Sequence, residues 1–128
     1  MAVRFNHTIV HCRSKADSAG FLASTLGLAA PTPFGHFLVV RLDDGASFDF
    51  TEAGDLPFNA QHYAFLVSED EFDAIFARIR ERELAYSADP FGKHPGEINH
   101  HDGGRGVYFP DPDGHLLEII TRPYGSGG

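Results

Sequence analysis

GVYFPDPDGHLLEIIT, residues 106–121, reads as a strand, a tight turn and a second strand. Aromatic and β-branched residues flank Asp111-Pro-Asp-Gly114, whose composition is that of a turn. Glu118 falls inside the second strand, between Leu117 and Ile119. A carboxylate among apolar strand residues is costly unless a positive group or a hydrogen-bond donor meets it. What meets Glu118 is the question the other residues have to answer.

Upstream, Val3 to Cys12 is rich in β-formers. Period-two geometry places Phe5, His7, Ile9 and His11 on one face and Asn6, Thr8, Val10 and Cys12 on the other. Ser14-Lys-Ala-Asp17 starts a helix like a capping box; the helix runs to about Leu26 and stops at Gly27. Ala30 to Gly35 reads as a loop, Phe37 to Leu42 as a strand, Asp43-Asp-Gly45 as a hairpin turn and Ala46 to Thr51 as its partner strand. Gln61 to Val67 is the next strand, with His62, Ala64 and Leu66 on one face. Ser68-Glu-Asp-Glu71 is a capping box, and Phe72, Ile75, Phe76 and Ile79 follow at helical spacing. Ser87 to Arg105 is a long loop, of a length that is usually functional or disordered. The closing Tyr124-Gly-Ser-Gly-Gly has no packing residue after the tyrosine, so fraying of this segment is expected.

The halves repeat. An offset of 55 lays His62 on His7 and Phe76 on Phe21; an offset of 69 lays Gly114 on Gly45 and Glu118 on Asp49. Each half reads β-α-β-β with room for one more short strand. Two copies about a pseudo-two-fold axis are expected to turn His7, Asp49, His62 and Glu118 towards one centre. Two imidazoles and a carboxylate form the facial set suited to Fe(II) or Mn(II), with open positions for substrate oxygens.

On these residues the chain resembles the vicinal oxygen chelate superfamily of glyoxalases, bleomycin-resistance proteins, extradiol dioxygenases and fosfomycin-resistance enzymes. Asn6-His7-Thr8, Ser18 to Leu28, His62-Tyr-Ala-Phe65 and, above all, Tyr108 to Glu118 carry the resemblance. It implies an α+β fold in which two βαβββ modules form a cupped mixed sheet around a central metal. A single domain over 1–128 is expected, with module 1 at about 3–53 and module 2 at about 60–122. The resemblance further implies one divalent ion (Fe, Mn, Zn or Ni) on His7, His62 and Glu118. Glyoxalase-like members carry a fourth, carboxylate ligand at the place Asp49 fills. Asp49 is thus a candidate fourth ligand, which would favour Zn or Ni, or a base or supporting partner.

Tyr108 matches an active-site tyrosine of the family, against the alternative of a core tyrosine. His100 and His101 lie near a catalytic loop histidine of extradiol enzymes, against the alternative of solvent exposure, and Arg122 is a candidate for an anionic substrate at the pocket rim, against that of a surface salt bridge. Two departures count. No histidine stands near Ser47 or Phe48, where extradiol enzymes carry one, and Ile9 replaces the threonine of the fosfomycin type. His11 reads as a pocket or buried histidine, Cys12 as core packing, and His36, His94 and His115 as turn or surface residues.

Net charge is -8 without a basic run, which argues against nucleic acid or an anionic membrane as partner. A lone cysteine excludes an internal disulfide and fits a reducing compartment. No transmembrane run or signal layout is visible, so a cytoplasmic location is expected. The expected activity is a divalent-metal-dependent enzyme of glyoxalase or dioxygenase type on a small oxygen-chelating substrate, by lyase, isomerase or dioxygenase chemistry. The alternative is a bleomycin-resistance-like binder without turnover. A homodimer is expected in either case.

Overall fold

The computed structural model describes residues 2–127. The chain divides between Asn59 and Ala60 into two compact units. Unit 1 contains β1 (His7–Cys12), α1 (Lys15–Leu26), β2 (Thr32–Phe34), β3 (Phe37–Arg41) and β4 (Ser47–Glu52). Its sheet runs β1-β4-β3-β2, with β1 parallel to β4 and the other pairs antiparallel. Unit 2 contains β5 (His62–Leu66), α2 (Glu69–Glu81), β6 (Gly106–Pro110) and β7 (Leu116–Ile120), in the sheet order β5-β7-β6. Each unit is thus an α+β module.

Register proves the repeat. Asp49 faces Ile9 on one side and Val39 on the other; Glu118 faces Ala64 and Tyr108. Those partners are related by the same offsets of 55 and 69. The turns repeat too. Leu42 N–H bonds Ala46 O and Gly45 N–H bonds Leu42 O; Asp111 N–H bonds His115 O and Gly114 N–H bonds Asp111 O. Gly45 and Gly114 hold φ of +95° and +85°, a conformation that costs a side chain energy.

The fourth strand of each module was the least visible. Thr32–Phe34 is a strand, not the loop expected over Ala30 to Gly35; it is an outer strand, where Pro33 removes no needed donor. Its counterpart in unit 2 shrinks to Ser87, which bridges Tyr108 just as Thr32 pairs Val39. Ser87 and Thr32 differ by the same 55.

The local signals act as expected. The Ser14 hydroxyl accepts from Asp17 N–H, and Gly27 ends α1 at φ +74°. At α2, Ser68 and Glu71 form the reciprocal capping box. In unit 1, Val10, Cys12, Val40, Phe48 and Phe50 are buried, as are Leu22 and Ala23 of α1. In unit 2, Phe72, Ile75 and Ile79 of α2 are buried, as are Phe65, Val107, Phe109, Leu117 and Ile119 of the sheet. Each large side chain there contributes about 1.5–3 kcal/mol. Arg105 fastens α2 from the loop side: it bonds Glu69 and Asp73, both at 2.8 Å, and lies 4.4 Å over the Phe72 ring. No helix of the described residues is long and apolar enough to cross a membrane.

Loop 87–105 is ordered by Asp89. Its carboxylate accepts from the Ser87 hydroxyl and from the N–H groups of Phe91, Lys93 and His94. Desolvation pushes the Asp89 acid upward, but these hydrogen bonds outweigh it and hold the acid well below the usual range.

Candidate metal centre

Alternation along β7 sends Leu117 and Ile119 to one face and Glu118 to the other, yet Glu118 is 0% exposed. Its partners come from three places. His62, on the parallel neighbour β5, brings Nε2 within 3.0 Å of Oε1. Tyr124, beyond β7, donates its hydroxyl to Oε2 in a short hydrogen bond. The Tyr108 hydroxyl on β6 lies 3.1 Å from that of Tyr124. Burial raises both tyrosine hydroxyls above their ordinary range, and the Glu118 carboxylate pushes both the same way. They therefore stay protonated donors at neutral pH. His62 itself is 46% exposed, so one edge of this pair is open to a ligand.

Unit 1 carries the repeat-equivalent set. His7 is exposed, with Nδ1 2.7 Å from Asn6 Oδ1. In the tautomer that donates from Nδ1 to this amide oxygen, the Nε2 lone pair is free for a ligand. His7 lines a cavity of about 360 Å³ with Ile9, Phe34, Phe37, Arg41 and Asp49. Asp49, half-buried, accepts a 2.8 Å hydrogen bond from the Ser47 hydroxyl. Among the described residues, no three His, Cys, Asp or Glu side chains are gathered closely enough to hold a metal ion.

The other sequence candidates divide. Tyr108 adjoins Glu118 through Tyr124. His100 and His101 are exposed on the loop, and His100 sits close enough to help lower the Glu69 acid, after the larger effects of Thr121 and Arg105. Arg122 is exposed and its side chain lies over Gly104, where an added Cβ would meet its Cγ at 2.9 Å. His11 is exposed and stacks on Phe58, rather than being buried. Cys12 is 0% exposed in the core, as read. His36 and His94 are exposed.

His115 is a correction: it is 1% exposed, and its Nδ1 accepts from Gln61 N–H at 2.9 Å. It shares parity with Leu117 and Ile119, a signal that counting alternate residues back from Ile119 would have found. Tyr124 is the second. Through residue 127 the segment after β7 is fastened by Asp102, whose oxygens accept from Gly125 N–H and Gly127 N–H, both at 3.1 Å; Gly128 lies outside the described residues. No local pattern announces that contact.

No family model matches the chain. It is 62% identical to the solved structure of Oxidase ChaP-H1, covering 97% of this chain and 99% of that one, with a TM-score of 0.93. A glyoxalase/dioxygenase from Nostoc punctiforme is 25% identical over 94% of this chain and 91% of that one, with a TM-score of 0.71. The chain belongs to the vicinal oxygen chelate superfamily. Metallothiol transferase FosB of Shouchella clausii (strain KSM-K16) is 40% identical over 62 residues, 47% of this chain and 37% of that protein. The chain spans about a third to two thirds of the length of the curated relatives it matches. As a vicinal oxygen chelate protein, it keeps histidine at the matching place of both first strands and a carboxylate at the matching place of both last strands.

Proposed function

We propose that the protein is a metal-dependent oxidase acting on a small substrate with two vicinal oxygens, and that His7, His62 and Glu118 hold one divalent ion. The observation that carries this reading is the buried Glu118 carboxylate already facing His62 at 3.0 Å on adjacent strands. A fold gains little from such a group in a strand core; a cation site needs one. The donor set, two imidazoles and a carboxylate, fits Fe(II) or Mn(II), and Asp49 as a fourth ligand would favour Zn or Ni. Oxidase ChaP-H1 is similar over nearly its whole length, which favours oxidation over the other chemistries of the superfamily.

When bound, the ion supplies Lewis-acid character and open positions for substrate oxygens and a co-reactant. The remaining work falls to side chains. Tyr108 keeps its proton beside Glu118 and can donate it in a hydrogen bond to a substrate oxygen. Ile9, Phe34 and Phe37 give the His7 cavity apolar walls, and Arg41 offers a cation to an anionic substituent. Asp49 lines the same cavity and offers a carboxylate to a substrate hydroxyl. We further propose that the chain acts as a homodimer.

Thiol transfer is the second reading, favoured by the FosB similarity and weakened by Ile9 in place of the threonine of that type. Oxygen uptake by protein loaded anaerobically with Fe(II), using catechol and hydroxyquinone probes, separates the two. Uptake that requires Fe(II) and is lost in His62→Ala is expected. A thiol adduct formed without oxygen consumption would replace oxidation by transfer. Probe binding without metal or turnover would leave a drug-sequestering binder.

A further inference from the structure

Strand register lays out the cavity beside His7. Alternation turns Phe37, Val39 and Arg41 of β3 to one face, and Ser47 and Asp49 of β4 share it, because Val39 pairs Asp49 and Arg41 pairs Ser47. Arg41 and Asp49 are therefore diagonal neighbours, roughly 7 Å apart at their side-chain bases. They bring opposite charges to one cavity, yet no ion pair joins them. Asp49 accepts from the Ser47 hydroxyl through Oδ1, which leaves Oδ2 open as an acceptor. The Arg41 guanidinium, exposed at the end of β3, meets no carboxylate among the described residues. Phe34 stands at the edge of the same cavity, 73% exposed, beside Phe37, its partner in the β2–β3 pair. Ile9 lines the cavity as well and is also exposed. Apolar side chains left in water around a concave site, two of them rings, suit a planar apolar group.

We infer that this cavity takes a fused-ring aromatic carboxylate that also carries a hydroxyl, with Arg41 on the carboxylate and Asp49 on the hydroxyl. The inference rests on the proposed function in taking the His7 cavity as the substrate site; it draws on unit 1 alone and needs no ion. An apolar cavity of about 150 Å³ holds one benzene ring. The cavity here measures about 360 Å³, room for two fused rings and their substituents. One guanidinium matches one carboxylate as a two-pronged pair. A phosphate dianion would bring its second charge towards Asp49, and no lysine or second arginine among the described residues lines the cavity to meet it. A cationic ligand would meet the reverse conflict at Arg41. A hydroxyl that donates to Asp49 Oδ2 satisfies the acid without adding charge. Catechol supplies hydroxyls but leaves Arg41 unmatched.

The test titrates the full chain, with EDTA present, with three probes: a hydroxynaphthoate whose two groups lie on opposite rings, the naphthol without the carboxylate, and the hydroxynaphthyl phosphate. Calorimetry reads binding to the parent and to Arg41→Gln and Asp49→Ala, and circular dichroism checks that the variants fold. The hydroxynaphthoate is expected to bind about tenfold more tightly than the naphthol, the worth of one hydrogen bond between charged groups. Arg41→Gln should erase that advantage and leave naphthol affinity unchanged. Asp49→Ala should weaken the naphthol about fivefold and improve the phosphate relative to the carboxylate. Equal affinity of the parent for hydroxynaphthoate and naphthol, tighter binding of the phosphate, or no binding of any probe would each overturn the assignment, and none of these readings needs a variant. Unchanged hydroxynaphthoate binding in Arg41→Gln would overturn it too. Fe(II) uptake judges the metal separately. Uptake without probe binding removes the substrate class alone, and Arg41-dependent probe binding without uptake removes the metal site alone.

Discussion

Replacing Glu118 by methionine is expected to leave the fold as stable as before, or more stable by up to about 2 kcal/mol. The carboxylate is fully buried, whereas its partners are not: His62 is 46% exposed and Tyr124 61%. Removing Glu118 leaves the half-exposed His62 imidazole to water, while the hydroxyl of the buried Tyr108 keeps that of Tyr124 as a partner. Methionine has similar volume, and a volume-conserving swap costs under about 1.5 kcal/mol of packing. The converse change behaves differently. Tyr124→Phe leaves a buried oxygen short of a donor, which costs about 1–2 kcal/mol, with Tyr108 near enough to relieve part of it. Urea unfolding of the metal-free proteins reads both, and each kcal/mol also moves Tm by about 3–6 °C. A carboxylate kept for function is expected to show this asymmetry. A loss above about 2 kcal/mol in Glu118→Met, exceeding that in Tyr124→Phe, would refute the reasoning and make Glu118 a structural residue.

Asp89 gives a pH test. Its folded acid is depressed, so the unfolded chain binds more protons as pH falls; the stabilisation is complete above an ordinary aspartate value of about 3.9 and disappears as pH drops through the lower folded value. Protection of the Lys93 and His94 amides should persist through neutral and mildly acidic pH and fail only below about pH 4, whereas Asp89→Ala should lose it at every pH. Arg105→Ala removes two ion pairs and a ring contact at once and should cost about 1–2 kcal/mol in urea unfolding, part of it insensitive to salt because the Phe72 contact is packing. His62→Ala should keep native circular dichroism and lose metal uptake, since the side chain is half exposed and supports no core; unfolding of this variant would mark His62 as structural.

Most of the module plan was legible because it is written in local chemistry. Caps at Ser14 and Ser68, the stop at Gly27 and the aspartate–glycine turns act through neighbours in sequence, and the two offsets then predict the register of Asp49 and Glu118. What escaped depends on distant contacts or on relaxed rules. Thr32–Phe34 tolerates proline only because it lies at the outside of its sheet. Loop 87–105 is ordered by one carboxylate whose donors lie two to five residues away, a pattern without hydrophobic periodicity. Tyr124 meets Glu118 because Asp102 holds its strap, and neither residue advertises the other. His115 was a different failure, a phase that alternation along β7 contains and that its place next to a turn obscured.

Metal content of the full chain, purified without chelator and then titrated anaerobically with Fe(II), tests the central claim most directly. One ion per chain is predicted, reduced to none by His7→Ala, by His62→Ala and by Glu118→Met alike. Absence of Fe(II), Mn(II), Zn(II) and Ni(II) binding in the parent, or full binding retained when any one of the three residues is replaced, would contradict the proposed site.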